Sequence, residues 1–162
     1  MKVEDLSNSG FCFLWILNSQ MEIGYSCMNK WGYEVVDHIT WIKTKNMKIN
    51  VTHGYYFLHS SETCLVGYKN NSNHPLEFIS KVNNDLIFQE VTAKSQKPAQ
   101  LYSIIDLLMP ASKKIELFAR NHNLREGWLS LGNQLGDSYN KWNSVVQCDL
   151  CHHNITHLNK RY

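Results

Sequence analysis

The sequence predicts an α/β fold, a central sheet with helices on both of its faces. Three observations lead there. Residues 10–17 (GFCFLWIL) are apolar at both alternating sets of positions, as in a strand covered on two sides. Further runs rich in β-branched and aromatic residues recur at 33–43, 63–68, 85–91 and 114–118. Between them lie two stretches with helical rather than alternating spacing.

The first strand stops at Asn18. Ser19 and Glu22 then have the Ser-x-x-Glu spacing of a capping box, which starts a helix running to about Trp31. Met21, Tyr25, Met28 and Trp31 are expected to face inward, and Gly32 supplies the C-terminal stop. Residues 33–43 (YEVVDHITWIK) follow as a second strand, so that strand, helix and strand form a βαβ unit with a right-handed crossover. His38 and Trp41 within it read as packing residues. Residues 45–61 are polar, aromatic and irregular. A third strand follows at 63–68 (TCLVGY), a loop at 70–75 (NNSNHP) and a fourth strand at 85–91. Pro98 reads as the first helical position of a second helix. Leu101, Ile104, Ile105 and Leu108 give that helix one apolar face, and Pro110 ends it. Residues 114–118 (KIELF) form a fifth strand and 128–131 a sixth. The pattern fades from Gly136. The expected organisation is a short lead-in at 1–8, one domain at 9–135 and a weakly ordered tail at 136–162.

A chain of 162 residues, 43% of them hydrophobic, is long enough to bury its own core. Lys and Arg number 16 against 14 Asp and Glu, and a net +2 is no electrostatic argument for nucleic acid. The longest apolar run, 11–17, is far short of the ~20 residues of a membrane helix, so no membrane association is expected. No signal-peptide pattern opens the sequence. Five irregularly spaced cysteines in that setting read as reduced thiols of the cytosol or nucleus. Cys148-x-x-Cys151 with His152, His153 and His157 offers zinc-ligand types. Its two ligand pairs are nearly adjacent, whereas one ion needs them roughly a dozen residues apart, so no metal site is expected. Lys43, Lys45, Lys48, Lys113, Lys114, Lys160 and Arg161 are scattered bases and read as a solvated face.

The densest polar cluster is residues 114–123 (KIELFARNHN) with 132–134 (GNQ). A strand ends at Phe118, so Arg120, His122 and Asn123 fall in the turn at its C-terminal end. In open α/β sheets that edge is where ligands bind. Glu116 can accept hydrogen bonds from a ribose. Arg120, His122, Asn123, Asn133 and Gln134 can hold a ribose and an amino-acid carboxylate. Lys97 adds a cation near the same edge. The plain alternative is an ordinary polar loop.

Residues 114–135 (KIELFARNHNLREGWLSLGNQL) resemble the C-terminal signature of the MT-A70 family of N6-adenine methyltransferases. GFCFLWIL, WGYE after the first helix, DHITWIKT, ETCLVGYK and SQKP before the second helix are similar to that family in the same order. The resemblance covers about residues 9–135. It implies a Rossmann-like methyltransferase sheet that uses S-adenosylmethionine, in a family that commonly pairs an active with a degenerate subunit. Lys97, Glu116, Phe118, Arg120, His122, Asn123, Asn133 and Gln134 match its cofactor-contacting positions. The loop at 45–61 matches the contact between paired subunits, with His53, Tyr55, Tyr56, Phe57 and His59 as interface residues.

Active members also carry Asp-Pro-Pro-Trp, whose carboxylate and ring receive the flipped adenine. None of the three prolines here are adjacent. No catalytic residue is therefore assigned, and the sheet is expected to lack its N-terminal elements. The resulting expectation is a non-catalytic scaffold subunit in the nucleus, with S-adenosylmethionine held by a catalytic methyltransferase partner. Nucleic acid would be bound through the complex, DNA slightly ahead of RNA. The alternatives are a fragment of an active methyltransferase whose catalytic loop lies upstream, and a stand-alone nucleic-acid-binding module.

Overall fold

The computed structural model describes residues 2–73 and 75–135 and, in the backbone alone, Val145–Gln147 and Asn154–His157. They pack as two compact units. The first runs to Lys94 and takes in Pro98–Pro110; the second holds Ser95–Lys97 and what is described from Ala111 onward. Among the described residues no helix is long and apolar enough to cross a membrane. The three described cysteines, Cys12, Cys27 and Cys64, are free thiols.

The first unit contains β1 (Gly10–Ile16), α1 (Met21–Lys30), β2 (Glu34–Lys45), β3 (Lys48–Ile49), β4 (Thr52–His53), β5 (Leu58–His59), β6 (Ser61–Lys69), β7 (Leu86–Glu90) and α2 (Ala99–Leu108). Its main sheet has the order β1-β6-β2-β3, with β7 also paired to β2. β6 is antiparallel to both β1 and β2, and β7 is parallel to β2. β1 and β2 therefore run parallel, as a βαβ unit requires, but β6 lies between them. This inserted strand was not legible in the order of elements.

β6 takes the place expected of β1. Cys64, Leu65, Val66 and Gly67 are buried at consecutive positions, whereas β1 is half-buried throughout. The reason is position: β6 has a neighbour on each side, and β1 is paired only with β6 among the described residues.

On one face, Met28 of α1, Tyr33 and Leu65 form a buried cluster, flanked by Leu14, Ile16 and Val35. Each such side chain contributes roughly 1.5–3 kcal/mol on burial. Gly24 lets the helix sit this close, since a Cβ there would meet Leu65 Cδ1 at 2.9 Å. α1 ends as expected at Gly32, with φ +81. The Gly32 N–H donates to Asn29 O at 3.0 Å and the Tyr33 N–H to Met28 O at 2.9 Å, the double bond of a Schellman end. On the other face Trp41 is buried and its Nε1–H donates to Gln89 O at 2.9 Å. The first turn of α2 starts beside the same residue, the Gln100 N–H donating to Gln89 Oε1 at 3.0 Å.

Local details correct several expectations. The Ser19–Glu22 capping box does not form: Asn18–Gln20 is a 3-10 turn, and Gln20 is the N-cap, with no side-chain cap bond. Tyr25 is exposed rather than inward, and its hydroxyl shares a 2.6 Å hydrogen bond with His38 Nε2. His38 is thus a surface partner, while Trp41 does pack. Pro98 is the N-cap of α2 rather than its first helical position, so the helix starts one residue later than expected, and Tyr102 joins Leu101, Ile104 and Ile105 in its buried face. Lys43 is no part of a solvated basic face. It is 8% exposed and paired with Glu62 at 3.5 Å.

The irregular loop at 45–61 contains two hairpins. β2 and β3 are joined by Asn46 and Met47, both with positive φ (51 and 58), as a two-residue turn matched to strand twist demands. β4 and β5 pair with Thr52 opposite His59 and His53 opposite Leu58. Between them Tyr55 is 93% exposed and Tyr56 and Phe57 nearly as much, so these aromatics do not fill the chain's own core.

The second unit contains β8 (Lys114–Leu117), β9 (Trp128–Gly132), β10 (Val145–Gln147) and β11 (Asn154–His157). β8 and β9 are parallel; β11 is antiparallel to β9, and β10 to β11. The segment read as a weakly ordered tail thus returns two strands to the sheet. Cys148, Cys151, His152, His153, Lys160 and Arg161 lie outside the described residues. Among those described, no group of His, Cys, Asp or Glu is arranged to hold a metal ion.

Candidate functional site

The candidate site is built at the C-terminal ends of β8 and β9. Their register sets Lys114 beside Trp128, Glu116 beside Ser130 and Leu117 beside Leu131. Partners on parallel strands share a face, about 4.8 Å apart. Glu116 and Ser130 are therefore side-by-side neighbours.

Past Leu117 the chain makes an unusual turn. Phe118 has φ +60, a left-handed conformation that costs a bulky residue about 1–2 kcal/mol. The turn leaves the Phe118 ring 81% exposed and puts Ala119 inside, 1% exposed. The Ala119 N–H donates to Leu131 O at 2.8 Å, and Arg120 forms a parallel bridge with Gln134. The two strands thus stay in register beyond β8. Asn121–Asn123 closes as a 3-10 turn, with the Asn123 N–H donating to Arg120 O at 3.1 Å, and Asn123 is buried.

Gly132 permits this approach. A Cβ at Gly132 would lie 2.2 Å from the Ala119 carbonyl oxygen and 2.8 Å from its nitrogen. Those are backbone atoms, which cannot step aside as a flexible side-chain end can. The strand ends close only because position 132 has no side chain.

Arg120, His122 and Asn123 leave one strand end, and Asn133 and Gln134 leave the other. Glu116 lies just behind them, and Lys97 packs with the same unit. All the expected cofactor positions are thus brought into one unit, and those on or just after β8 and β9 lie at the edge where parallel sheets bind ligands. His53, Tyr55, Tyr56, Phe57 and His59 belong to the other unit. S-adenosylmethionine presents a ribose diol, an adenine ring and an amino-acid end. The edge offers a carboxylate, an exposed aromatic ring, and cations with carboxamides, so the residues fit the group. Nothing in the sequence marks a role for Ala119 or Ser130. Only Gly132 carried a signal, since a glycine closing a strand marks close backbone approach.

The sequence matches the MT-A70 family over residues 1–134. The chain belongs to that family. It is 41% identical over 138 residues to the N(6)-adenosine-methyltransferase catalytic subunit METTL3 of Homo sapiens, covering 83% of this chain and 23% of that protein. It is 41% identical over 163 residues to the N(6)-adenosine-methyltransferase MT-A70-like protein of Drosophila melanogaster, covering 99% and 25%. Against the N(6)-adenosine-methyltransferase non-catalytic subunit METTL14 of Drosophila melanogaster the figure is 30% over 145 residues, covering 83% and 36%. This MT-A70 chain therefore spans about a quarter of the length of the first two of these relatives. Its mixed sheet with flanking helices is the Rossmann-like α/β architecture expected of the family.

Proposed function

We propose that this chain is the cofactor-holding portion of an S-adenosylmethionine-dependent N6-adenine methyltransferase, acting on adenosine in nucleic acid. The observation that carries the reading is the closed end of β8 and β9, where every cofactor-type residue falls in one compact unit. Bound S-adenosylmethionine supplies an electrophilic methyl group on a sulfonium centre. The chain's own residues bind and orient it. Glu116 accepts hydrogen bonds from the ribose hydroxyls. Lys97 and Asn123 hold the amino-acid carboxylate, while Arg120, His122, Asn133 and Gln134 line the rest. The Phe118 ring, already in solvent, offers a face to a base. The higher identity to METTL3, named a catalytic subunit, than to METTL14, named a non-catalytic one, 41% against 30%, supports membership of the catalytic type. Their names specify adenosine, which favours RNA over DNA.

A non-catalytic scaffold role in a nuclear heterodimer is the second reading, and one observation favours it. The chain is also 30% identical over 145 residues to the N(6)-adenosine-methyltransferase non-catalytic subunit METTL14 of Drosophila melanogaster. Under either reading the exposed Tyr55, Tyr56 and Phe57 hairpin is the surface for a methyltransferase-like partner, because aromatic anchors dominate desolvated interfaces.

A titration with S-adenosylhomocysteine followed by backbone amide resonances tests the cofactor assignment. Binding of roughly millimolar strength is expected, that of a partial site, with loss in Asn123→Ala. Shifts confined to the first unit would overturn it. Methyl transfer from labelled cofactor, measured with this chain and a co-purifying partner on RNA and DNA, then separates the two readings. Activity dependent on Glu116 and Asn123 of this chain supports the catalytic type. Activity indifferent to both supports the scaffold.

A further inference from the structure

Ser130 is 1% exposed, and its hydroxyl has no hydrogen-bond partner among the described residues. A buried hydroxyl left in that state carries a desolvation cost, and such a group calls for an explanation. A serine in the middle of a strand also gains nothing in packing over alanine or valine. Its position supplies the explanation. The register of β8 and β9 puts Ser130 directly beside Glu116, on one face and about 4.8 Å away. Gly132, the next residue of β9 on that face, has no side chain. Trp128, the residue before on the same face, is buried and apolar. Ser130 is therefore the hydroxyl that β9 places beside the one carboxylate of the site.

We propose that Ser130 is a positioning residue for the ribose-binding carboxylate of Glu116. The inference rests on the cofactor reading above. An ionised carboxylate only accepts hydrogen bonds, and a serine hydroxyl donates one. When the ribose diol engages Glu116, the Ser130 hydroxyl donates to one carboxylate oxygen. That fixes the rotamer and leaves the other oxygen to the diol. Among the described residues the unliganded chain offers the hydroxyl no partner, and the ligand-bound chain satisfies it. Such a residue lowers the stability of the empty protein and raises its affinity, which separates it from a purely structural serine.

The test compares wild type, Ser130→Ala, Ser130→Thr and Glu116→Gln, each by thermal melting without ligand and by amide-resonance titration. The probes are S-adenosylhomocysteine and its 2′,3′-dideoxy analogue. Ser130→Ala is expected to melt at the same temperature or about 2–4 °C higher, and to bind S-adenosylhomocysteine about tenfold more weakly, the scale of one charge-assisted bond. Ser130→Thr, which keeps the hydroxyl, restores binding. The penalty for removing the diol is large in wild type and small in both Ser130→Ala and Glu116→Gln. A lower melting temperature in Ser130→Ala with unchanged affinity overturns the proposal and makes the hydroxyl a structural partner, while the cofactor site stands. An undiminished diol penalty in Ser130→Ala likewise overturns it. Failure of wild type to bind S-adenosylhomocysteine overturns this inference and the cofactor reading together.

Discussion

In the first unit, Cys64, Leu65 and Val66 of β6 are buried on both faces of a sheet, and the exposed residues of interest lie on a hairpin outside it. In the second unit, β8 is only partly covered, and its functional residues begin where the strand ends. One unit derives its stability from apolar strands and leaves aromatics in solvent. The other uses two short parallel strands to bring polar residues together. The difference teaches where each is vulnerable: the first to changes in volume or charge within the sheet, the second to changes in the spacing of two backbones.

The largest expected effect is at Gly132. Gly132→Ala places a Cβ against the Ala119 carbonyl and should cost about 3 kcal/mol or more, as a backbone clash with no side chain to yield. Amide hydrogen exchange should rise at Ala119 and Gln134 and stay unchanged at Leu65 and Val66. Equal loosening of both units would break the distinction drawn here. Gly127→Ala is the control, since nothing lies within 4 Å of its Cβ and only its φ of +80 is strained. That should cost about 1 kcal/mol.

Next comes the buried pair of the first unit. Glu62→Gln leaves the Lys43 ammonium with a neutral neighbour in a site where it is 8% exposed. On the order of 2–3 kcal/mol should be lost in urea unfolding. Lys45→Met, at an exposed position of the same strand, should change stability by less than about 0.5 kcal/mol. A similar loss in both variants would show that Lys43 is solvated after all.

Alkaline pH should also distinguish the units. Burial pushes the Cys12 thiol from 9.0 up to about 11. Burial likewise raises the Tyr33 hydroxyl above its ordinary 10.0, and the neighbouring Cys12 raises it further, partly offset by a hydrogen bond from Ser7. Both groups hold their protons more tightly folded than unfolded. Stability is therefore complete below pH 9 and falls as pH rises between 9 and 11. Cys12→Ala should shift that decline to higher pH, read from the unfolding midpoint at successive pH values. An unshifted decline would remove Cys12 from the account.

The smallest effect on folding is expected at the hairpin. Tyr55→Ala with Tyr56→Ala removes rings that touch chiefly each other, with centroids 4.7 Å apart. Stability of the isolated chain should change by less than about 0.5 kcal/mol. Assembly with a methyltransferase-like partner, measured by sedimentation, should weaken at least about tenfold. A large loss of stability with unaltered assembly would move these aromatics from an interface to the fold.

Much of this molecule is legible in the sequence because its signals are local. The strand of 10–17, the Gly32 stop of α1 and the apolar face of α2 follow from chain geometry and side-chain type within a few residues. The cofactor-type residues are legible too, as a polar cluster after a strand end. What the sequence could not carry are properties of pairing. The insertion of β6 between β1 and β2 is a choice among strand partners far apart in the chain. It makes β6 central and, among the described residues, leaves β1 with one paired neighbour, reversing the burial that their compositions suggest. Lys43 looks like any exposed cation until β2 and β6 align it with Glu62. Gly132 and Ser130 gain their roles only from the register of β9 against β8, which sets one against the Ala119 backbone and the other beside Glu116. Composition and spacing decide which elements form. Contacts between strands distant in sequence decide which residue each element meets, because hydrogen-bonded register, and not sequence separation, sets side-chain neighbours.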